Sequence, residues 1–391
     1  MSGHELALAT IGTDASVSVR LNPFKTPDAA IPFLEGARKV PWCKYGYILG
    51  ERPVFTLDPL FHAGAYYVQD SSAMFVGRVF RKALEKYDGE VKVLDLCAAP
   101  GGKTTDLAAS LREKYGNGFV LVANEVMKQR AGILADNVAV WGDPNVIVTS
   151  ADPKAFAAMG SYFDIIVADV PCSGEGMFRK DSRAVEEWSE ENVRLCAARQ
   201  RRILGDMWPA LREGGTLIYS TCTFEEEEND ANLKWAAEEL GGSINAPESG
   251  FEGVRITECG NMLVPGEVPG EGQWVGSMVK TAESSSGSAD ISRLHPIRNG
   301  VEKGCKKGND FVPCSDWALS LDFDRTVYPE VPVDRDMALK FLHRDTLLLP
   351  DAPLGYLTLT YESLPLGFVK NLGRRCNNLH PQERRIRMNI Q

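Results

Sequence analysis

Two short stretches hold the residues that could do chemistry. "ADVPCSGEGMF" (168–178) sets Asp169 three residues before Cys172, and "IYSTCTFEEEEND" (218–230) runs an apolar segment into Cys222 and then four glutamates. A thiolate is a strong nucleophile, and a carboxyl group beside it can supply or hold a proton. A lone cysteine is usually an inert small hydrophobe. Cys43, Cys196, Cys259, Cys305, Cys314 and Cys376 are read that way, whereas Cys172 and Cys222 each sit in a polar turn just past an apolar run. Thr223 and Glu226 match a capping box, which predicts a helix starting immediately after Cys222. A helix N-terminus lowers a thiol pKa and nearby glutamates raise it, so the balance stays open at this level.

A third stretch, "CAAPGGKTT" (97–105), suits a ligand rather than a reaction. Cys97, Ala98, Ala99, Pro100, Gly101, Gly102 and Lys103 form a small-residue turn entering a helix, where backbone amides can meet a bound group. Gly102, Lys103 and Thr104 match the end of a P-loop, but Cys97 stands where its first glycine belongs. An NTPase therefore remains a rival on this segment, and "IIVADV" could pass for its metal-binding acid. Three carboxylates argue for a different ligand. Glu125 lies 23 residues beyond Gly102, where a carboxylate takes ribose hydroxyls, and Asp152 and Asp169 close the next two apolar runs. Acids in register repel a triphosphate. They suit a ligand with a ribose, a base and a cationic centre, and S-adenosylmethionine has all three.

These residues need elements to hold them. Apolar runs at 91–96, 118–125, 145–152, 163–170 and 214–221 alternate with helical patterns at 103–115, 126–141, 184–208 and 225–240. That alternation predicts a doubly wound, mostly parallel sheet with the acids and both thiols at its carboxyl edge. A late strand is expected at 270–281. Residues 282–290 read as a small polar linker, and the segment beyond as a small β-rich domain. The first 90 residues, with "VRLNPFK", "VPWCKYGYIL" and "AYYVQDSSAMFVGRVF", read as a lead-in packed on the sheet. The boundaries are set at 1–88, 89–282 and 283–391.

A thiolate, an acid and a methyl donor together suggest one reaction. Carbon 5 of cytosine is a poor nucleophile until a thiolate adds at carbon 6. A carboxyl group at ring nitrogen 3 eases that addition, and a base must later remove the carbon 5 proton. From the residues alone, either thiol could be the attacking one.

"LDLCAAPGGKT", "ANE", "DVPCSGEGM" and "YSTCT", in this order, resemble the NOL1/NOP2/Sun family of RNA 5-methylcytosine methyltransferases. "VPWCKYGYIL" and "PLGFVKNLGRRCNNLHPQERRIR" are similar to its bacterial RsmF-like branch, which acts on 16S rRNA. The resemblance implies a Rossmann-like class I methyltransferase core with an N-terminal α/β extension and a PUA-like RNA-binding domain at the C-terminal end. It implies that Cys97 to Lys103 line the cofactor turn, Glu125 holds the ribose, Asp152 lies near the adenine and Asp169 sits between cofactor and cytosine. It makes Cys222 the nucleophile and Cys172 the group that assists proton removal and release. The implied partner is RNA, 16S rRNA or the 30S subunit. A tRNA cytosine-5 methyltransferase and a non-catalytic RNA-binding protein are the alternatives.

Composition sets the remaining expectations. Net charge is −10, which disfavours indiscriminate polyanion binding. Yet Lys370, Arg374, Arg375, Arg384, Arg385 and Arg387 cluster within 18 residues against Glu383 alone, a candidate phosphate footprint. The nine scattered cysteines contain no CxxC pair, so no metal site is expected and reduced thiols fit. No apolar run is long enough to span a membrane and no signal segment is read, so a cytoplasmic monomer is expected.

Overall fold

The computed structural model describes residues 1–283, 286–287, 290–308 and 310–390. The lead-in begins with helix α1 (Gly3–Ala9). It continues through strands β1 (Val17–Leu21), β2 (Arg38–Lys39) and β3 (Gly46–Leu49), helix α2 (Pro59–Ala63), strand β4 (Tyr66–Val68) and helix α3 (Met74–Leu84). Its strands form an antiparallel sheet ordered β2-β3-β1-β4.

The central unit then alternates as the sequence predicts. It runs β5 (Val91–Asp95), α4 (Gly102–Tyr115), β6 (Phe119–Asn124), α5 (Lys128–Trp141), β7 (Val146–Thr149) and β8 (Phe163–Asp169). Helices α6 (Ser182–Glu187) and α7 (Glu190–Met207), β9 (Leu211–Thr221) and α8 (Asp230–Leu240) follow. Four further strands, β10 (Gly242–Ile244), β11 (Val254–Ile256), β12 (Gly260–Leu263) and β13 (Gln273–Lys280), complete it. Strands β7, β6, β5, β8 and β9 are parallel neighbours in that order, and β13 adds antiparallel to β9. Strand order reverses between β5 and β8, so the crevice opens at their carboxyl ends. Both sheet faces are covered. Val93, Leu121, Val148 and Val167 pack with α3 and α4, while Leu94, Val122, Ile166 and Leu217 pack with α7. That two-sided burial is why these runs are apolar throughout rather than alternating.

Three details depart from the sequence expectation. The helix expected over 184–208 is two helices: Trp188 is extended, and Ser189 caps α7 by accepting the Asn192 N–H at 3.1 Å. Strand β7 stops at Thr149, so Asp152 lies three residues past it. Helix α8 starts at Asp230, so neither a capping box at Thr223 nor a helix N-terminus at Cys222 exists.

Part of the expected linker, residues 284, 285, 288 and 289, lies outside the described residues. Beyond it, β14 (Arg298–Asn299) pairs antiparallel with β7 and extends the central sheet. Next come β15 (Gly304–Lys307), β16 (Asp310–Pro313), α9 (Ser315–Leu319), β17 (Glu330–Pro332) and α10 (Arg335–His343). The last strands are β18 (Gly355–Tyr361), β19 (Leu364–Asn371) and β20 (Cys376–Asn378), in a sheet ordered β17-β18-β19-β20. This sheet does not stand alone. Val19, Phe55, Leu60 and Tyr66 of the lead-in share one buried cluster with Phe341, Leu357, Leu366 and Ile386. The Asp28 N–H also donates to the Glu362 carbonyl.

Candidate active site

The first βα turn is built as its residue types suggest. Gly101 has φ +113°, a conformation that strains any side chain, and α4 starts at the next residue with no side-chain cap. Its first N–H groups are therefore left for a ligand. Ala98 and Ala99 are buried behind the turn, and Pro100 is on the surface. Burial, reinforced by Asp169 and Asp95, pushes the Cys97 thiol up.

One residue supporting this turn escapes sequence reasoning. Arg20 of β1 is fully buried and donates to Thr105 Oγ1 at 2.6 Å and to the Gly102 carbonyl at 3.1 Å. Its signal was an arginine inside the apolar "VSVRL" strand. The lead-in thus braces the first turn of α4 from behind.

Glu125 is buried just past β6. It accepts the Met127 N–H at 2.9 Å and pairs with Arg130 at 3.2 Å. Asp152 is exposed and caps the short turn of helix at Pro153–Met159 through the Lys154 N–H. At the end of β8, Asp169 accepts Ser220 Oγ at 2.7 Å and Lys103 Nζ at 2.9 Å. Burial pulls the Lys103 ammonium down, but Asp169 and its hydrogen bond outweigh that, so it is held above its ordinary value. Asp95, beneath the turn, is pushed up to about 7 by burial, against the hydrogen bond from Thr104.

The two motif cysteines meet. β8 and β9 are hydrogen-bonded neighbours, and Cys172 and Cys222 just past their ends lie with Sγ atoms 3.1 Å apart. The Cys222 backbone N–H also donates to Cys172 Sγ at 3.2 Å. Cys172 is held well above the ordinary thiol value, by its hydrogen bond to Cys222, then burial, then the opposing charge of Cys222.

Two glutamates fix the loops that carry these thiols. Glu228, fourth of the run after Cys222, is fully buried. It accepts the Ser173 N–H at 3.1 Å and Gln200 Nε2 at 2.6 Å. Glu175, inside "PCSGEGM", is also fully buried and accepts Thr223 Oγ1 and the Phe224 N–H, both at 2.7 Å. The glutamate run is thus a loop anchored by the fully buried Glu228, where the sequence had suggested a helix's first turn.

The C-terminal basic residues separate. Arg374 and Arg375 are exposed in the turn between β19 and β20, and Arg385 is exposed as well. Lys370 is paired with Asp310 at 2.7 Å. Arg384 turns inward onto Asp316 of α9, which also holds Arg298 of β14 at 2.7 Å.

A doubly wound sheet with a Gly-rich first turn and acids at the strand ends is the Rossmann-like methyltransferase architecture. Family models match in sequence: the N-terminal domain of 16S rRNA methyltransferase RsmF over 4–71, 16S rRNA methyltransferase RsmB/F over 81–266, and the methyltransferase RsmF PUA domain over 328–386. The chain belongs to this RsmB/F family of methyltransferases, with the N-terminal and PUA domains of the RsmF type. It is 38% identical over 235 residues to ribosomal RNA small subunit methyltransferase F of Escherichia coli O127:H6, a match covering 56% of this chain and 47% of the relative. The chain thus spans about half the length of the curated relatives it matches. A methyltransferase homolog protein from Pyrococcus horikoshii is 25% identical with a TM-score of 0.57, over 70% of this chain and 88% of that one. NSun6 from the same organism, solved with SFG, has a TM-score of 0.58 at 18% identity over 71% and 94%, a likeness of fold alone.

Proposed function

We propose that this protein transfers a methyl group from S-adenosylmethionine to carbon 5 of a cytosine in RNA, with 16S rRNA as substrate. The observation that carries this reading is the contact of two thiols at 3.1 Å at the ends of adjacent parallel strands, beside Asp169. The family supports the substrate class, because its models and relatives are named for 16S or small-subunit rRNA.

The residues fit the cofactor. Uncapped amides at the start of α4, the left-handed Gly101 and the buried Glu125 beyond β6 would hold its amino-acid part and ribose. When bound there, S-adenosylmethionine supplies an electrophilic methyl group. The protein's own groups do the rest. Cys222 Sγ, its thiol proton lost to solvent, bonds to carbon 6 as the thiolate and moves an electron pair toward carbon 5. Asp169, taking up a proton from solvent, donates it in a hydrogen bond to ring nitrogen 3, easing that addition. After methylation the carbon 5 proton goes to a base, the ring double bond re-forms and the carbon 6–sulfur bond breaks. Cys172 is the base proposed for that step. It takes up that proton as the thiolate, its own thiol proton having left to solvent. The target base has to leave its stack to reach these sulfurs. The exposed Arg374, Arg375 and Arg385 are proposed to contact phosphates.

The test is incubation with radiolabelled methyl donor and bare 16S RNA or assembled 30S subunits, followed by nucleoside analysis. Label in 5-methylcytidine is expected. Cofactor binding with no label in either RNA would overturn the rRNA reading and turn the search to tRNA.

A further inference from the structure

The loop after Cys222 is held by a residue far away in sequence. His4 of α1 places Nδ1 against Oε1 of Glu175. The other Glu175 oxygen takes both Thr223 Oγ1 and the Phe224 N–H. The next residue, Gly176, donates its N–H to the Cys222 carbonyl at 2.8 Å. One carboxylate therefore links α1 to the residues directly following the attacking sulfur. Glu225 joins the group, with ligating atoms of His4, Glu175 and Glu225 all within 4.8 Å of one another.

Packing makes the link specific. A Cβ on Gly3 would come 2.6 Å from Phe224, so α1 lies directly on the loop. Ala7, Phe178, Phe224 and Val264 form a small core of their own beneath it. The His4 ring rests against Trp188, centroids 4.4 Å apart, at the break between α6 and α7. The buried residues of that small core are separate from those of the two cores that cover the central sheet.

We propose that His4 is a positioning residue for the methyl transfer: by holding Glu175 it fixes the Thr223–Phe224 backbone and so the aim of Cys222. The inference rests on the reading of Cys222 as nucleophile. In this role His4 works through Glu175 and not on the reacting atoms. It acts through the geometry of a sulfur that has to reach carbon 6 within a narrow angle, and a displacement of about 1 Å can cost roughly 100-fold in rate.

Asparagine and glutamine separate hydrogen bonding from packing, since an Asn amide nitrogen overlays Nδ1 and a Gln nitrogen overlays Nε2. Single-turnover methylation of 16S RNA, cofactor affinity by calorimetry and alkylation of Cys222 by iodoacetamide are measured for wild type, His4→Ala, His4→Asn and His4→Gln. His4→Ala is expected to slow single turnover by about 10- to 100-fold with cofactor affinity unchanged. His4→Asn restores most of the rate and His4→Gln does not. An unchanged rate in His4→Ala, or equal losses in all three variants, overturns the proposal. Should wild type label no RNA, the methyl-transfer reading falls by itself and the alkylation decides. A Cys222 rate that changes in His4→Ala and recovers in His4→Asn upholds the positioning role, and one that never moves overturns it.

Discussion

Asp316→Ala should loosen the C-terminal segment without touching the thiols. Asp316 carries one carboxylate between two guanidiniums, Arg298 on β14 and Arg384 near the C-terminal end, with side-chain exposures of 16%, 14% and 11%. Among the described residues, Nη2 of Arg298 and Nε and Nη1 of Arg384 lack hydrogen-bond partners. Removing the acid leaves two buried cations facing each other. Breaking a buried pair in this way costs about 3–5 kcal/mol. Some solvent reaches all three groups, so the lower end applies, about 3 kcal/mol, or roughly 6–12 °C in melting midpoint for a unit of this size. The pH dependence has a definite sign. Burial pushes Asp316 up, but Arg384 and Arg298 outweigh it and hold it below its ordinary 3.8. Its contribution is then fully present above that value and fades as pH falls through the lower folded one. Thermal unfolding of wild type and variant is compared from pH 7 down to pH 3. The gap should be constant above about pH 5 and narrow below pH 4. A midpoint shift under about 2 °C at pH 7, or a gap that ignores pH, refutes the argument.

Cys222→Ala should abolish methyl transfer and spare cofactor binding, and calorimetry beside the labelling assay checks both halves. Cys172→Ala should instead leave a covalent protein–RNA adduct, visible as a shifted band on denaturing gels in the presence of cofactor; free protein alone would mean that Cys172 has no part in release. Gly101→Val forces a β-branched residue to φ +113° with Leu134 Cδ1 already 3.2 Å from the new Cβ, so cofactor affinity should fall about tenfold or more. Replacing Arg374 and Arg375 together by Ala should reduce the slope of log RNA affinity against log salt by roughly 1–2, and an unchanged slope would place the RNA elsewhere.

The central sheet was legible because each strand is buried on both faces and so wrote itself as a continuous apolar run. The neighbourhood of Cys172 and Cys222 was legible for the same reason, since consecutive βα units place their turns side by side. What was hidden depends on partners far apart in sequence. The four glutamates after Cys222 have the composition of a first helical turn. Glu228 points inward only because Ser173 and Gln200 wait for it. Asp152 reads as a strand-end acid, but Pro153 after it starts a short helix that takes its side chain as a cap. Arg384 reads as one more basic residue in a run, and only the fold brings Asp316 to it, 68 residues upstream. Arg20 and His4 offered still less, because a single basic residue announces no partner.

The shared core of the lead-in and the last sheet has a consequence for synthesis. Val19, Phe55 and Tyr66 leave the ribosome 275 to 367 residues before Phe341, Leu357 and Ile386, against which they are buried. At about 5–20 residues per second, that interval is on the order of tens of seconds. Late in it, once Lys280 is made, the central sheet has every strand from β5 to β13 and can close, while one side of β1–β4 stays bare. A nascent chain stalled before β18 would therefore combine a finished catalytic unit with a sticky apolar surface, the kind of species that chaperones hold. Ribosome-bound chains of graded length would locate the point at which that surface is covered.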